Sequence, residues 1–238
     1  MDAESRVAVR LAEGAPDLRG HDWRRLVAHS GAKIISSIAS EQCDAYLLSE
    51  SSLFVWRRRF ILITCGQTSL LDSLRAFLDE ADGPICALDY VRRNDDRPPD
   101  LSGIPLARAG ALQHSLNARG GMDHHLRFAA SAAMPVKTAQ FYGLSPAARA
   151  RFCGEDQQPA VLAWLQQAGL VEGWALDTHC FQPVGYSANA IAGDGLGYWT
   201  LHVTPEAPRS YASFESSLPG APIQDMARWL GAQAVEVS

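Results

Sequence analysis

At 238 residues the chain is long enough to bury a full core, as one large domain or as two fused halves, and 47% hydrophobic residues with six Trp and eight Phe exclude a disordered chain. A formal charge of −5 leaves no basic face to neutralise phosphates, which argues against nucleic-acid binding; it reads as ordinary solubility, mildly favouring a cationic small substrate. No apolar stretch approaches the length that spans a bilayer, and the start Met1-Asp2-Ala3-Glu4-Ser5-Arg6 lacks the features of a secretory signal, so no membrane and a cytoplasmic location are expected.

In chain order, Arg6 to Leu11 predicts a short strand, and Trp23, Leu26 and Val27 predict a helix over His21 to His29. Ala32 to Ala39, Ala45 to Glu50, Leu53 to Trp56 and Arg59 to Thr64 read as strands, with Arg57-Arg58-Arg59 as a solvated hairpin tip. Thr68 or Ser69 is placed to cap a helix whose apolar stripe is Leu70, Leu71, Leu74, Phe77 and Leu78. Pro84 to Val91 is a strand, Arg92 to Ser102 a loop, Ile104 to Asn117 a helix, and Asp123 to Ser131 a strand. Pro146 to Phe152, capped by Ser145, and Pro159 to Ala168 are helical. The period then returns to two over Trp174 to Phe181, Tyr198 to Thr204 and Tyr211 to Glu215, before a helix at Pro222 to Leu230 and a strand at Ala234 to Val237. Strands that meander with single helices between them predict an α+β class with largely antiparallel sheet.

Cys43, Cys65, Cys86, Cys153 and Cys180 are odd in number and scattered, which favours reduced thiols and supplies no zinc ligand set. His124 and His125 would point to opposite faces of a strand, so no metal is expected. Ser49-Glu50-Ser51-Ser52, read by itself, is a turn between two apolar runs.

Three segments change that reading: Glu50-Ser51 with Cys65-Gly66, the stretch Phe181 to Asn189, and the stretch Tyr198 to Glu206 continuing to Glu215. Together they resemble the S-adenosylmethionine decarboxylase proenzyme family of the eukaryotic, pyruvoyl-dependent type. That family carries a Leu-Ser-Glu-Ser-Ser-x-Phe-Val knot, then Phe-Ile-Leu-x-Thr-Cys-Gly-x-Thr, Phe-x-Pro-x-Gly-Tyr-Ser-x-Asn and Tyr-Trp-Thr-x-His-x-Thr-Pro-Glu. All four occur here in order, covering about residues 45 to 72 and 173 to 215. The chemistry is coherent with the composition. Removing CO2 from an α-amino acid needs an electron sink, which a carbonyl joined to the substrate amine as a Schiff base supplies, and Lys33 and Lys137 are the only lysines that could anchor an aldehyde cofactor instead.

The resemblance implies that Ser51 attacks the Glu50 carbonyl and becomes a pyruvoyl cofactor, splitting the chain into a 1–50 β chain and a 51–238 α chain. By the same resemblance His202 is the processing base, Ser187 assists processing, and Cys65 returns a proton to the substrate carbon, a thiol of pKa near ~8.5 being able to donate at neutral pH. Phe181 is assigned to stacking on adenine, Glu206 to the ribose hydroxyls, and Leu48 and Glu13 to the substrate site. The family's second stacking aromatic precedes a Glu-Gly pair, where this chain has Leu11-Ala12 before Glu13-Gly14. The putrescine-sensing acids and lysine of the animal-type enzymes are replaced by Met134 to Thr138 and Ile63, with Glu215 retained, so putrescine activation is not expected.

The implied fold is a four-layer αββα sandwich with two mainly antiparallel sheets, its second half shortened at the C-terminus, forming a single domain over 1–238 with the active site between the sheets. The implied function is decarboxylation of S-adenosylmethionine for spermidine and other polyamine biosynthesis. A pyruvoyl-dependent decarboxylase of arginine or ornithine, and an unprocessed regulatory pseudoenzyme, are the alternatives. The partner expected is a small-molecule substrate, with a homodimer left open.

Overall fold

The computed structural model describes residues 4–49, 51–66, 68–93, 100, 102, 104, 113–117, 123–129, 136–154, 156 and 158–238. These form, in order, β1 (Glu4–Leu11), a short 3-10 turn (Leu18–Gly20), α1 (Trp23–Ala28), β2 (Ile34–Ala39), β3 (Cys43–Leu48), β4 (Ser51–Trp56), β5 (Arg59–Thr64), α2 (Leu70–Glu80), β6 (Ile85–Arg93), β7 (Gln113–Asn117) and β8 (Asp123–Ala129). There follow β9 (Lys137–Tyr142), α3 (Pro146–Ala150), α4 (Gln158–Gln167), β10 (Trp174–Cys180), β11 (Tyr186–Ala192), β12 (Tyr198–Thr204), β13 (Tyr211–Ser216), α5 (Ile223–Leu230) and β14 (Ala234–Val237).

The chain divides into two compact units, Met1–Ser36 with Leu48–Ala133, and Ser37–Leu47 with Met134–Ser238. In the first, the strands are neighbours in the order β4-β5-β1-β6-β8-β7, with β1 paired antiparallel to both β5 and β6. Asp22 caps α1 by accepting from Arg25 N at 3.1 Å. The stripe Leu70, Leu71, Leu74, Phe77 and Leu78 of α2 is buried, and an aromatic cluster ties both helices to β5: the Trp23 and Phe77 rings lie 4.9 and 4.7 Å from that of Phe60.

In the second unit the order is β10-β11-β12-β13-β9-β14, antiparallel throughout. Alternation along these strands separates two buried faces. Ala188, Ala190, Trp199, Leu201, Val203, Ala212 and Phe214 pack with Phe152, Val161, Trp164, Leu165, Met226 and Leu230 in an apolar core. The intervening residues Gln140, Ser187, Asn189, Thr200, His202, Ser213 and Glu215 are polar and equally buried. A buried polar face must satisfy its hydrogen bonds internally, so this surface is organised by specific partners and not by apolar packing alone.

Three local expectations are corrected. Gln113–Asn117 is a strand paired with β8, not the end of a helix; residues 105–112 of that expected helix lie outside the described residues. Here sheet pairing overrides a local helical pattern. Ser69 occupies the N-cap position of α2 without a side-chain capping bond, and Thr68 Oγ1 donates instead to Cys65 O at 2.7 Å. Strands β9 and β11 were not anticipated. Tyr186–Ala192 is rich in Ser, Ala and Asn, which favour strands weakly, and is recognisable only from its place between β10 and β12. Ser145 does cap α3, accepting from Ala148 N at 3.2 Å with Pro146 next in sequence.

Candidate active site

Ser51 opens β4, and the antiparallel register sets it opposite Thr64, which on its other side faces Ser5 of β1. The residue before the expected cleavage bond, Glu50, lies outside the described residues. Its neighbour Ser49 is held at both ends by Lys33: Ser49 N donates to Lys33 O at 2.8 Å, and Lys33 N to Ser49 Oγ at 3.0 Å. Ser51 itself has φ +141°, alone among the described non-glycine residues in taking a positive φ. Such a conformation costs on the order of 1–3 kcal/mol, and pairing on one side with a clamped turn on the other maintains it.

The Ser51 hydroxyl is buried and has no hydrogen-bond partner among the described residues, and the Thr64 hydroxyl opposite shares that condition. A buried hydroxyl left unbonded is destabilising by about 1–3 kcal/mol. Strain and an unsatisfied oxygen therefore coincide on one serine. Cys65 follows Thr64 directly and is half-buried, while Leu48, at the end of β3, is fully buried. None of the five cysteines is in a disulfide, and among the described residues no group of three or more His, Cys, Asp or Glu is placed to hold a metal ion.

Ser187 and His202 are cross-strand partners on β11 and β12, with Ser187 Oγ 2.8 Å from His202 Nδ1. The ring's other nitrogen, Nε2, is 2.9 Å from Thr200 Oγ1. Thr200 Oγ1 donates to Asn189 Oδ1 at 2.9 Å, and Asn189 Nδ2 to the carbonyl of Tyr46 at 3.0 Å. Burial lowers the His202 pKa from 6.5 to about 4, so the ring is neutral at physiological pH and available as a base. Further along the same face, Tyr198 Oη donates to the buried Glu215 carboxylate at 2.6 Å.

The substrate residues expected from sequence are placed less uniformly. Phe181 lies just beyond β10, half-buried and outside the apolar core, its ring edge-to-face with that of His179 at a centroid separation of 4.7 Å. Its turn closes through Phe181 N donating to Gly185 O at 2.9 Å, and φ +115° at Gly185 makes glycine the residue suited to that corner. Glu206 is exposed just past the end of β12. Glu13 is exposed and pairs with Arg58 at 3.4 Å, at the tip of the β4–β5 hairpin. Ser51 sits at the open end of that hairpin, since β1 runs antiparallel to β5 with Ser5 opposite Thr64 and Arg10 opposite Arg59. Glu13 is thus at the wrong end of β1 to reach Ser51. The buried carboxylate at Ser51's end is Glu4, 3.8 Å from Arg93.

The sequence profile of the adenosylmethionine decarboxylase family matches residues 3–99 and 135–232. The chain belongs to this family. It is 29% identical over 239 residues to an S-adenosylmethionine decarboxylase proenzyme of Xenopus laevis, the alignment covering 87% of this chain and 70% of the relative. Proenzymes of the same name from Trypanosoma cruzi and Helianthus annuus are 29% and 32% identical, over 87% of this chain and 63% and 65% of theirs. The chain therefore spans between 63% and 70% of the length of these three relatives. The crystal structure of a Trypanosoma brucei AdoMetDC-delta26 monomer superposes with a TM-score of 0.56 at 21% identity, covering 78% of each chain. The α+β fold with two antiparallel sheets is thus that of the adenosylmethionine decarboxylases.

Within that fold, Thr64, Thr200 and Glu4 were missed in the sequence. The spacing of Thr200 two residues before His202, and of Asn189 two after Ser187, puts each pair on one strand face. Only the β11–β12 register joins the two pairs.

Proposed function

We propose that the chain is a self-processing decarboxylase that cleaves its own Glu50–Ser51 bond, generates a pyruvoyl group from Ser51 and decarboxylates S-adenosylmethionine. The observation that carries this reading is Ser51 itself, with positive φ and a buried hydroxyl that has no partner among the described residues. Accepted hydrogen bonds and solvation would engage the lone pairs that must attack the adjoining carbonyl; among the described residues this oxygen accepts none, and it is buried.

In the proposed sequence, Ser51 Oγ adds to the Glu50 carbonyl carbon as the amide C–N bond breaks and the hydroxyl proton passes to the departing nitrogen, converting the peptide to an ester with a free amine on Ser51. His202 then accepts the Ser51 α-proton, and the Cβ–Oγ bond breaks, leaving Glu50 as a carboxylate and residue 51 as an enamine. Its tautomer is hydrolysed, water supplying the ketone oxygen and ammonia leaving. Ser187, in hydrogen-bond contact with the base, orients the ring. When present, the pyruvoyl carbonyl supplies the electron sink that lets an amino acid lose CO2. Cys65, one residue past the partner of Ser51, is assigned the proton that returns to the substrate carbon, with Phe181 and Glu206 assigned to adenine and ribose and Leu48 to the apolar wall.

Denaturing electrophoresis with intact-mass measurement tests the processing. The expected result is two chains, 1–50 and 51–238, the larger reacting with carbonyl reagents. One uncleaved chain, inert to those reagents, would overturn the reading. Measuring CO2 release from S-adenosylmethionine, arginine and ornithine tests the substrate; turnover of arginine or ornithine alone would replace the proposed reaction by its amino-acid counterpart.

A further inference from the structure

The polar face of the second unit carries a hydrogen-bond chain whose direction is fixed from one end. Tyr46 O is a backbone carbonyl and can only accept, so the Asn189 amide 3.0 Å away turns Nδ2 toward it and Oδ1 away. Oδ1 faces Thr200 Oγ1 at 2.9 Å and carries no hydrogen, so the threonine hydroxyl directs its single proton there. That hydroxyl is also 2.9 Å from His202 Nε2, where it has only lone pairs left to offer. Nε2 must then carry the hydrogen. In a neutral ring this leaves the lone pair on Nδ1, 2.8 Å from Ser187 Oγ, which becomes its donor.

The opposite tautomer would need Thr200 to donate to Nε2. It would then set two oxygen lone pairs, Thr200 Oγ1 and Asn189 Oδ1, against each other at 2.9 Å in a buried site, or turn the Asn189 carbonyl onto that of Tyr46. Register makes the arrangement possible: Ser187 pairs with His202 and Asn189 with Thr200, so the four side chains form a square on one face. Glu215 pairs with Thr200 from β13, and its carboxylate accepts from Tyr198.

We propose that Thr200 and Asn189 are positioning residues that lock His202 as the Nε2–H tautomer, so that Nδ1 is the atom that takes up the proton during self-cleavage. The proposal rests on the reading of His202 as the processing base. Its consequence is directional. Protonation at Nδ1 converts Ser187 from donor to acceptor by rotation of one hydroxyl, while the new charge strengthens the bond from Nε2–H to Thr200, backed through Asn189 by the Tyr46 carbonyl. No backbone movement is required.

The test uses the full chain carrying Ser51→Ala, which holds it uncleaved, labelled with 15N-histidine. The His202 ring signals, assigned by their loss in His202→Gln, are expected to show a protonated Nε2 and an unprotonated Nδ1 at neutral pH. Thr200→Val should disturb that pattern and, with Ser51 restored, slow self-cleavage by about tenfold to a hundredfold, the range for losing one buried hydrogen bond to a charged group. Thr200→Ser should restore both, and unchanged thermal melting excludes misfolding as the cause. A ring protonated at Nδ1, or Thr200→Val with the original tautomer and cleavage rate, would overturn the proposal and leave self-processing standing. If the unsubstituted chain never cleaves, the self-processing reading fails by itself, and the ring signals still decide the tautomer.

Discussion

Ser51 Oγ and His202 Nδ1 are both buried, yet the first has no hydrogen-bond partner among the described residues and the second heads a chain of four partnered groups. The serine also has a backbone angle that its side chain disfavours, while His202 sits inside a regular strand. Under the proposed roles, the contrast follows from what each group must do. A nucleophile that acts once, on its own backbone, gains from instability in its starting state, because strain and desolvation are released when the bond rearranges. A base must receive a proton at one chosen atom, and gains from being fixed. One region stores free energy, and the other stores geometry.

Removing either end of the contrast has the largest expected effect. Ser51→Ala should give a single uncleaved chain by mass, without decarboxylase activity. His202→Gln should slow cleavage by about 10²–10⁴-fold, the usual contribution of a positioned base, as read from the appearance of the 51–238 fragment. Wild-type cleavage in that variant would break the comparison on the histidine side. Cys65→Ala should cleave at the normal rate and then turn over poorly or give an aberrant product by mass spectrometry. Full activity there would remove the proton-donor assignment.

Smaller effects sharpen the comparison through stability. The histidine pKa is about 4 in the folded chain against 6.5 when unfolded, so between these values the unfolded state binds the extra proton. Stability from this group is complete above about pH 6.5 and is lost as pH falls toward 4, a change of about 3 kcal/mol. Denaturant titrations of Ser51→Ala should show that acid slope, and adding His202→Gln should flatten it. The serine side is tested by Ser51→Gly, also uncleavable. Glycine adopts positive φ without a steric penalty, so this variant should exceed Ser51→Ala in stability by about 1 kcal/mol once glycine's greater unfolded entropy is subtracted. An Ala variant equally stable would mean that Ser51 is unstrained.

Most of the elements were legible from local pattern. The stripe Leu70 to Phe77 and the alternation in Tyr198–Thr204 report directly on burial, so α2 and β12 appear where their periods predict them. Tyr186–Ala192 escaped because its small residues carry little strand preference, and its fate depends on the two strands that flank it. Glu13 was misjudged for a related reason: a Glu-Gly pair was matched by type, whereas the pairing of β1 with β5 puts it at the hairpin tip and Glu4 at the end near Ser51. Residue type travels with the sequence, but position along a paired strand does not.

The sequence by itself determined the family motifs in which Ser51, Cys65, Ser187 and His202 stand, and so which residues the proposed reaction assigns. Only the tertiary structure decided their states. Ser51 takes its φ between a turn held by Lys33 and its pairing with β5, its hydroxyl has no partner among the described residues, and the direction of the His202 chain depends on a carbonyl at Tyr46, more than a hundred residues away. Strain, burial and hydrogen-bond polarity are properties of what surrounds a group, and those surroundings come from remote parts of the chain.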